Sequence, residues 1–321
     1  VSVPSIQIEE LFRDTAERLA LELLTPEVSL ARPCQDPDVS SPGLALAGYT
    51  ARFPDGRMQV LGETEIRYLA SLDALERRGR LEAFLSLPIP AVFVTKGQAV
   101  GEDLIEVARA RHVPLFRTTL TTKDFFRRIK PFLEVALAPS TSVHGSLADV
   151  YGVGLLFMGQ SGIGKSECVL DLVERGHRLV ADDLVLVSRR GNDVLIGRGH
   201  ALQGHHMEIR GIGIIDVQAL FGIRAIRQQK RIEVVVQLEH WDDTRTYERT
   251  GLEREEIEIL GVRIPKVTVP LNPGKNITVV SEVVAMDHLL RVTGVNSARN
   301  FDARLRGAMA PAQVYLEEDY E

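Results

Sequence analysis

Gly159-Gln160-Ser161-Gly162-Ile163-Gly164-Lys165-Ser166 has the form G-x-x-x-x-G-K-S, a phosphate-binding loop, and its surroundings decide the fold. The apolar run Val153-Gly154-Leu155-Leu156-Phe157-Met158 leads into it. Glu167-Cys168-Val169-Leu170-Asp171-Leu172-Val173 leads out with apolar residues at helical spacing, so the loop sits where a strand hands over to a helix. Glycines there turn backbone N–H groups toward phosphate oxygens, and the new helix adds its positive end. Lys165 contributes a charge and Ser166 offers a hydroxyl to Mg²⁺. Four fixed positions recur by chance in roughly one chain of this length in a hundred. With strand and helix in place, the expected fold is an α/β P-loop core.

The chain of 321 residues exceeds the usual size of a single core, so two domains are expected. Its net charge of −6 argues against nucleic acid as a partner. The only cysteines, Cys34 and Cys168, lie far apart without zinc spacing, which fits a reducing, cytoplasmic compartment. No segment reaches the roughly 18 uncharged apolar residues that a bilayer span needs. Glu9, Glu10 and Asp14 stand where a secretory signal would be basic and then apolar, so no membrane partner is expected.

Residues 1–138 read as a smaller α/β domain serving assembly or regulation. Ile8, Leu11, Phe12, Ala16, Leu19 and Leu23 step by three or four residues and predict one amphipathic helix over 6–24. One or two helices are expected over 64–87. Ala91-Val92-Phe93-Val94-Thr95 reads as a buried strand, followed by a helix over 102–111, a strand within 113–120 and a helix over 121–137. No phosphate loop or metal spacing appears in this half.

Pro139-Ser140-Thr141-Ser142 reads as a linker, and the catalytic domain is placed at 139–321. A strand ending near His144 could pair beside the loop-bearing strand and carry the imidazole toward the phosphates. His177-Arg178-Leu179-Val180-Ala181-Asp182-Asp183 is an apolar strand ending in two carboxylates, and such an acidic strand end beside a phosphate loop holds Mg²⁺ or polarises a nucleophile. Alternation along the strand gives the two carboxylates different tasks. Gly211 and Gly213, in a stretch bearing both Glu and Arg, imply backbone close to a ligand, and Glu208 there is a candidate oxygen ligand for a hard cation. Arg249 could neutralise transferred phosphate. Pro270 to Lys275 is a turn-rich loop ending in a cation, and the acidic end, Glu317 to Glu321, reads as disordered.

These pieces, in this order, resemble the bacterial HPr kinase/phosphorylases, and more closely the proteobacterial type. The resemblance rests on His144-Gly145, Asp149 to Gly154, Gly159 to Glu167, Arg175 to Asp183 and Glu208-Ile209-Arg210-Gly211-Ile212-Gly213-Ile214-Ile215-Asp216. It implies a P-loop kinase core related to phosphoenolpyruvate carboxykinase, in a homohexamer. It implies ATP- and Mg²⁺-dependent phosphorylation of a serine on the carrier HPr or its paralogue NPr. The reverse reaction it implies is phosphorolysis, with inorganic phosphate consumed and pyrophosphate released. Lys165 and the loop amides would hold phosphates, and Ser166 and Glu208 would hold Mg²⁺. Asp183 would be the general base, with His144 and Arg249 beside the transferring group. Met207 to Asp216 would serve both directions, and Pro270 to Lys275 mainly dephosphorylation. The motif Tyr247-Glu248-Arg249-Thr250-Gly251 departs from the Tyr-Asp-Arg-Leu-Gly of many Gram-positive members.

Two other readings compete. A nucleotide-gated scaffold with slow turnover would need the loop but not His144, Asp183 and Arg249 in one place. A carboxykinase-like small-molecule kinase would need a deep closed pocket, whereas a protein substrate needs an open one.

Overall fold

The computed structural model describes residues 4–191, 193–200, 204–244, 255–272 and 274–318. The chain divides between Pro139 and Ser140 into two compact units.

In the first unit a five-stranded sheet runs in the order Leu21–Leu23, Leu115–Thr118, Val92–Val94, Met58–Leu61, Val39–Ser40. The last four are parallel, and Leu21–Leu23 joins antiparallel at the edge. Alternation along the strands builds two cores. Val92, Val94 and Leu115 face helices Glu63–Ser71, Ala74–Leu85 and Glu102–Ala110, whereas Phe93 and Phe116 face helices Ile8–Thr15 and Thr122–Ala136. The single helix expected over 6–24 is therefore not what forms. It stops at Thr15, the chain turns through Ala20 at φ 48°, and Leu21–Leu23 becomes a strand. Leu19 is buried in either arrangement, so the apolar spacing did not distinguish them.

The second unit stacks helices, a mixed sheet and an antiparallel sheet. The six-stranded sheet runs Arg178–Ala181, Ser146–Val150, Val153–Met158, Val234–His240, Val262–Leu271, Glu255–Ile259. Its centre, Val153–Met158, is parallel to Val234–His240 and antiparallel to Ser146–Val150. Leu155 and Phe157 point to helices Lys165–Glu174 and Ile277–Val292, and Leu156 points to the second sheet. Burial on both faces is why this strand reads as an unbroken apolar run. The second sheet runs Gln229–Arg231, Val194–Arg198, Leu184–Arg190, Ser140–His144, all antiparallel.

The segment read as a linker is thus a strand from Ser140 onward, and His144 does not lie on a strand beside the loop-bearing one. Ser140–His144 pairs with Leu184–Arg190, and only after Gly145 does the chain enter the loop-bearing sheet as Ser146–Val150. The end of the chain also differs from expectation: helix Ser297–Glu318 takes in Glu317 and Glu318.

The loop helix is tied down at its far end. Arg175 makes two hydrogen bonds to Glu282 at 3.0 and 2.7 Å, His177 reaches the same carboxylate at 3.1 Å, and Tyr151 packs edge-on against His177. Glu282 is buried, and its hydrogen bond from Arg175 holds its carboxyl below the ordinary value against the opposing cost of burial, with His177 adding to Arg175. A carboxyl with a lowered folded-state value stabilises the fold above the unfolded value of 4.5, and that contribution disappears as pH falls through the folded value. Glu282→Gln is therefore expected to lower the urea midpoint at pH 7, with the gap to the parent closing toward pH 3. Parallel pH dependence of the two proteins would refute the assignment.

Candidate active site

Two crossings between sheets lie side by side and make the site. The chain leaves the antiparallel sheet at His144-Gly145 and enters it again at Asp182-Asp183. The crossings are joined by the pairing of His144 with Leu184 and by the Gly145 N–H donating to the Asp183 carbonyl at 3.0 Å. A side chain at Gly145 has no room, because a Cβ there would lie 2.4 Å from the Phe157 carbonyl oxygen on the loop-bearing strand. Asp183 sits in left-handed backbone at φ 63°, sparsely populated ground that aspartate tolerates better than most residues. Its carboxylate lies 3.2 Å from His144 Nδ1, and the two side chains are 65% and 54% exposed.

Asp182, the other half of the doublet, is buried. It accepts hydrogen bonds from Ser146 and from Ser166, the latter at 3.1 Å, through one carboxylate oxygen. Burial pushes its carboxyl upward, and the two hydroxyls oppose that shift. The strand expected to run through the doublet stops at Ala181, and Asp182-Asp183 form the bend before Leu184–Arg190. The left-handed turn at Asp183, not alternation along a strand, sets the pair apart, with Asp182 buried against the loop serine and Asp183 exposed beside the imidazole.

The loop follows Met158 directly and opens helix Lys165–Glu174. Gly162 and Gly164 hold φ of 79° and 100°, which only glycine adopts without strain. Lys165 is buried, and its ammonium donates to the carbonyls of Gly159 and Gln160 at 3.1 and 3.0 Å, which fixes it over the loop. Cys168, one turn along, serves packing: burial raises its thiol to about 11.

The third element is the hairpin of His206–Ile209 with Gly213–Asp216. One cleft is lined by His144, Ser161, Gly162, Gly164, Lys165, Ser166, Glu167, Asp182, Asp183, Glu208 and Arg210. Of the residues expected to act together, His144, Lys165, Ser166, Asp183 and Glu208 share this cleft, together with loop residues Ser161, Gly162 and Gly164. Gly159 anchors Lys165, while Gln160 and Ile163 line a neighbouring hollow that runs from Gln237 to Asp242 past Trp241. Arg249 lies outside the described residues, as does Pro273 within the stretch 270–275. Ser146 was missed by reasoning on sequence, and Arg210 was named only as part of the segment Met207 to Asp216. Ser146 carries no local signal, since only the strand register brings it to Asp182. Arg210 follows the last strand residue, Ile209, in the hairpin turn, so strand alternation does not reach it.

The donor set fits a nucleotide with Mg²⁺: a helix N-terminus and a buried lysine for phosphates, and a serine hydroxyl and a carboxylate for the cation. Among the described residues no three His, Cys, Asp or Glu side chains gather into a metal cage. Mg²⁺ is ordinarily held by one or two protein oxygens, substrate phosphates and water, which Ser166 and Glu208 suit. Among the described residues no helix is long and apolar enough to cross a membrane.

Known proteins match along both units. Residues 6–133 match the family profile described as HPr Serine kinase N terminus, and residues 135–305 that described as HPr Serine kinase C-terminal domain. The chain is 44% identical over 329 residues to the HPr kinase/phosphorylase of Chloroherpeton thalassium, covering 99% of this chain and 97% of that one. It is 45% identical over 293 residues to the HPr kinase/phosphorylase of an Exiguobacterium species, covering 91% and 94%. The solved Hpr(Ser) kinase/phosphatase from Coxiella burnetii aligns at 32% identity with a TM-score of 0.45, over 50% of this chain and 98% of that one.

Proposed function

The chain belongs to the HPr kinase/phosphorylase family, and from that premise we propose that it is a bifunctional protein-serine kinase/phosphorylase acting on the carrier HPr or its paralogue NPr. The single observation that carries this reading is the convergence on one cleft of the phosphate loop, Lys165 and Ser166 with the exposed His144–Asp183 pair. A nucleotide-binding scaffold has no use for the second half of that arrangement. The exposure of both His144 and Asp183 favours a serine presented on a protein over a small molecule closed into a pocket.

In the forward direction the serine oxygen attacks the terminal phosphorus of ATP, the bond from that phosphorus to the bridging oxygen breaks, and ADP leaves. Asp183 takes the serine proton, and His144 orients the carboxylate. In the reverse direction an oxygen of inorganic phosphate attacks the phosphoserine phosphorus. The serine oxygen leaves with a proton from Asp183, the attacking phosphate gives up its own proton in exchange, and pyrophosphate is the product. Lys165 and the loop amides hold the phosphates throughout, and the hollow from Gln160 to Trp241 takes the nucleoside. Ser166 and Glu208 would hold Mg²⁺, which would supply charge neutralisation to the phosphates. Asp182 keeps Ser166 in place as a donor to protein, with its oxygen lone pairs free for the cation. Arg249 is assigned to charge stabilisation and Pro270 to Lys275 to the phosphorolytic direction. The assembly is a homohexamer. The exposed apolar positions Val279, Val283, Met286 and Leu290 on helix Ile277–Val292 support self-association.

Incubation with Mg²⁺, ATP and either carrier is expected to yield phosphoserine, and adding phosphate to the phosphorylated carrier is expected to release pyrophosphate. Failure with both carriers in both directions overturns the reading.

A further inference from the structure

The two crossings keep one register through the break between the sheets. His144 lies opposite Leu184 in the antiparallel sheet and Leu147 opposite Ala181 in the loop-bearing one, which leaves Gly145-Ser146 facing Asp182-Asp183. Gly145 and Asp183 close their half of that gap through backbone, N–H to carbonyl. Ser146 and Asp182 close the other half through side chains: the Ser146 hydroxyl donates to Asp182 Oδ1. Ser146 has no exposed surface and Asp182 is 7% exposed, so bulk water does not compete for this hydrogen bond. The same Oδ1 accepts from Ser166 at 3.1 Å. One carboxylate oxygen thus gathers a hydroxyl from the strand Ser146–Val150 and another from the first turn of the loop helix. A serine that merely tied two strands together would need only a backbone carbonyl; this one bonds to the atom that holds Ser166.

We propose that Ser146 is a positioning residue for the cation site: it fixes the plane of the Asp182 carboxylate, and through it the direction in which Ser166 presents its oxygen lone pairs. This inference rests on the functional reading above, in which Ser166 is one of the protein oxygens for Mg²⁺. The torsion that sets a carboxylate plane is broad and roughly two-fold, so the aspartate has little preference of its own. A single hydroxyl at 3.1 Å, on a side chain that must also serve a cation, does not settle it. The second hydroxyl does, because it comes from a buried strand locked to the loop-bearing strand, where Ser146 pairs with Phe157 just ahead of the phosphate loop. Without that hydroxyl the carboxylate is free to turn, and Ser166 either follows it or loses its acceptor. In both cases the lone pairs of Ser166 leave the direction in which the phosphates would bring the cation. Groups that orient a metal's protein ligands are commonly worth about tenfold to a hundredfold in metal affinity.

The test is calorimetric titration of ADP into the full chain, once with Mg²⁺ and once with EDTA in its place, for the parent and for Ser146→Ala, Ser146→Cys and Ser146→Thr. The quantity read is the factor by which Mg²⁺ tightens ADP. The Ala variant lacks the hydroxyl, the Cys variant keeps the volume but offers only a weak donor, and the Thr variant keeps the hydroxyl. The factor is expected to fall about tenfold, or to vanish, in the Ala and Cys variants and to persist in the Thr variant. ADP binding in EDTA should be unchanged, because Lys165 and the loop amides are untouched. A merely structural serine would instead lower the melting temperature and weaken ADP alike in both conditions. Should the Ala variant fail to fold, the Cys variant carries the same comparison. Ala or Cys variants whose factor stays within about twofold of the parent overturn this inference alone. Equal weakening with and without Mg²⁺ does the same, as does a Thr variant that melts with the parent and loses the factor. A parent that does not bind ADP, or binds it no better with Mg²⁺, overturns the functional reading and this inference with it.

Discussion

Replacing Asp183 with asparagine is expected to remove serine phosphorylation and phosphorolysis together, each by roughly 10²- to 10⁴-fold, the range for a positioned acid–base group. The substitution is unusually clean at this position. Asparagine tolerates left-handed backbone as well as aspartate does, so φ 63° is kept without added strain. Its amide oxygen can still face His144 Nδ1 across the 3.2 Å gap, and the exposed side chain takes no part in the core. What disappears is the group proposed to accept a proton from serine in one direction and return it in the other. Pyrophosphate and ATP binding should persist, because Lys165 and the loop are unaltered. A variant that lost kinase activity and retained phosphorolysis would separate the two directions and show that Asp183 is not their shared acid–base group.

Much of this site could be read from sequence because its parts are contiguous. The run from Gly159 to Ser166 carries its own strand before and helix after, and each neighbour has the period that its element demands. Asp182 and Asp183 do have different surroundings, one against Ser166 and the other beside His144, but the strand alternation expected to separate them stops at Ala181, and a left-handed turn at Asp183 does the separating. What could not be read is whatever depends on pairing between distant strands. Ser140 to Ser142 is short, polar and next to Pro139, the composition of a linker. It is a strand because Leu184–Arg190 supplies an edge for it. Ser146 looks like any serine until the register of two sheets brings it to Asp182. The helix expected over 6–24 failed for the opposite reason. Its apolar spacing was satisfied by a short helix followed by an edge strand, and nothing local marked the turn at Ala20. Local chemistry thus announced the loop and the carboxylates, while the geometry that joins them came from the sheets.

That dependence makes Gly145 the position where the fold and the chemistry are most exposed to a single methyl group. Gly145→Ala places a Cβ 2.4 Å from the Phe157 carbonyl oxygen, and the atom it meets is backbone in the central sheet, which has no rotamer to change. Either the crossing strand lifts away or the loop-bearing strand shifts. In the first case the hydrogen bond from Gly145 to the Asp183 carbonyl is lost, and in the second the entry to the phosphate loop moves. Overpacking against an immovable neighbour costs about 3 kcal/mol, at the upper end of its usual range. For a unit of this size that corresponds to roughly 6 to 12 °C in melting temperature. The stability loss and the catalytic loss have one cause, since His144 precedes the glycine and Asp183 is the residue it holds. Calorimetric melting and carrier phosphorylation should therefore fall together in Gly145→Ala. In Asp183→Asn activity should fall while the melting temperature stays. A Gly145→Ala protein that melted with the parent and kept its rate would show that the two crossings need no close contact, and the account of how the sheets assemble the site would fail with it.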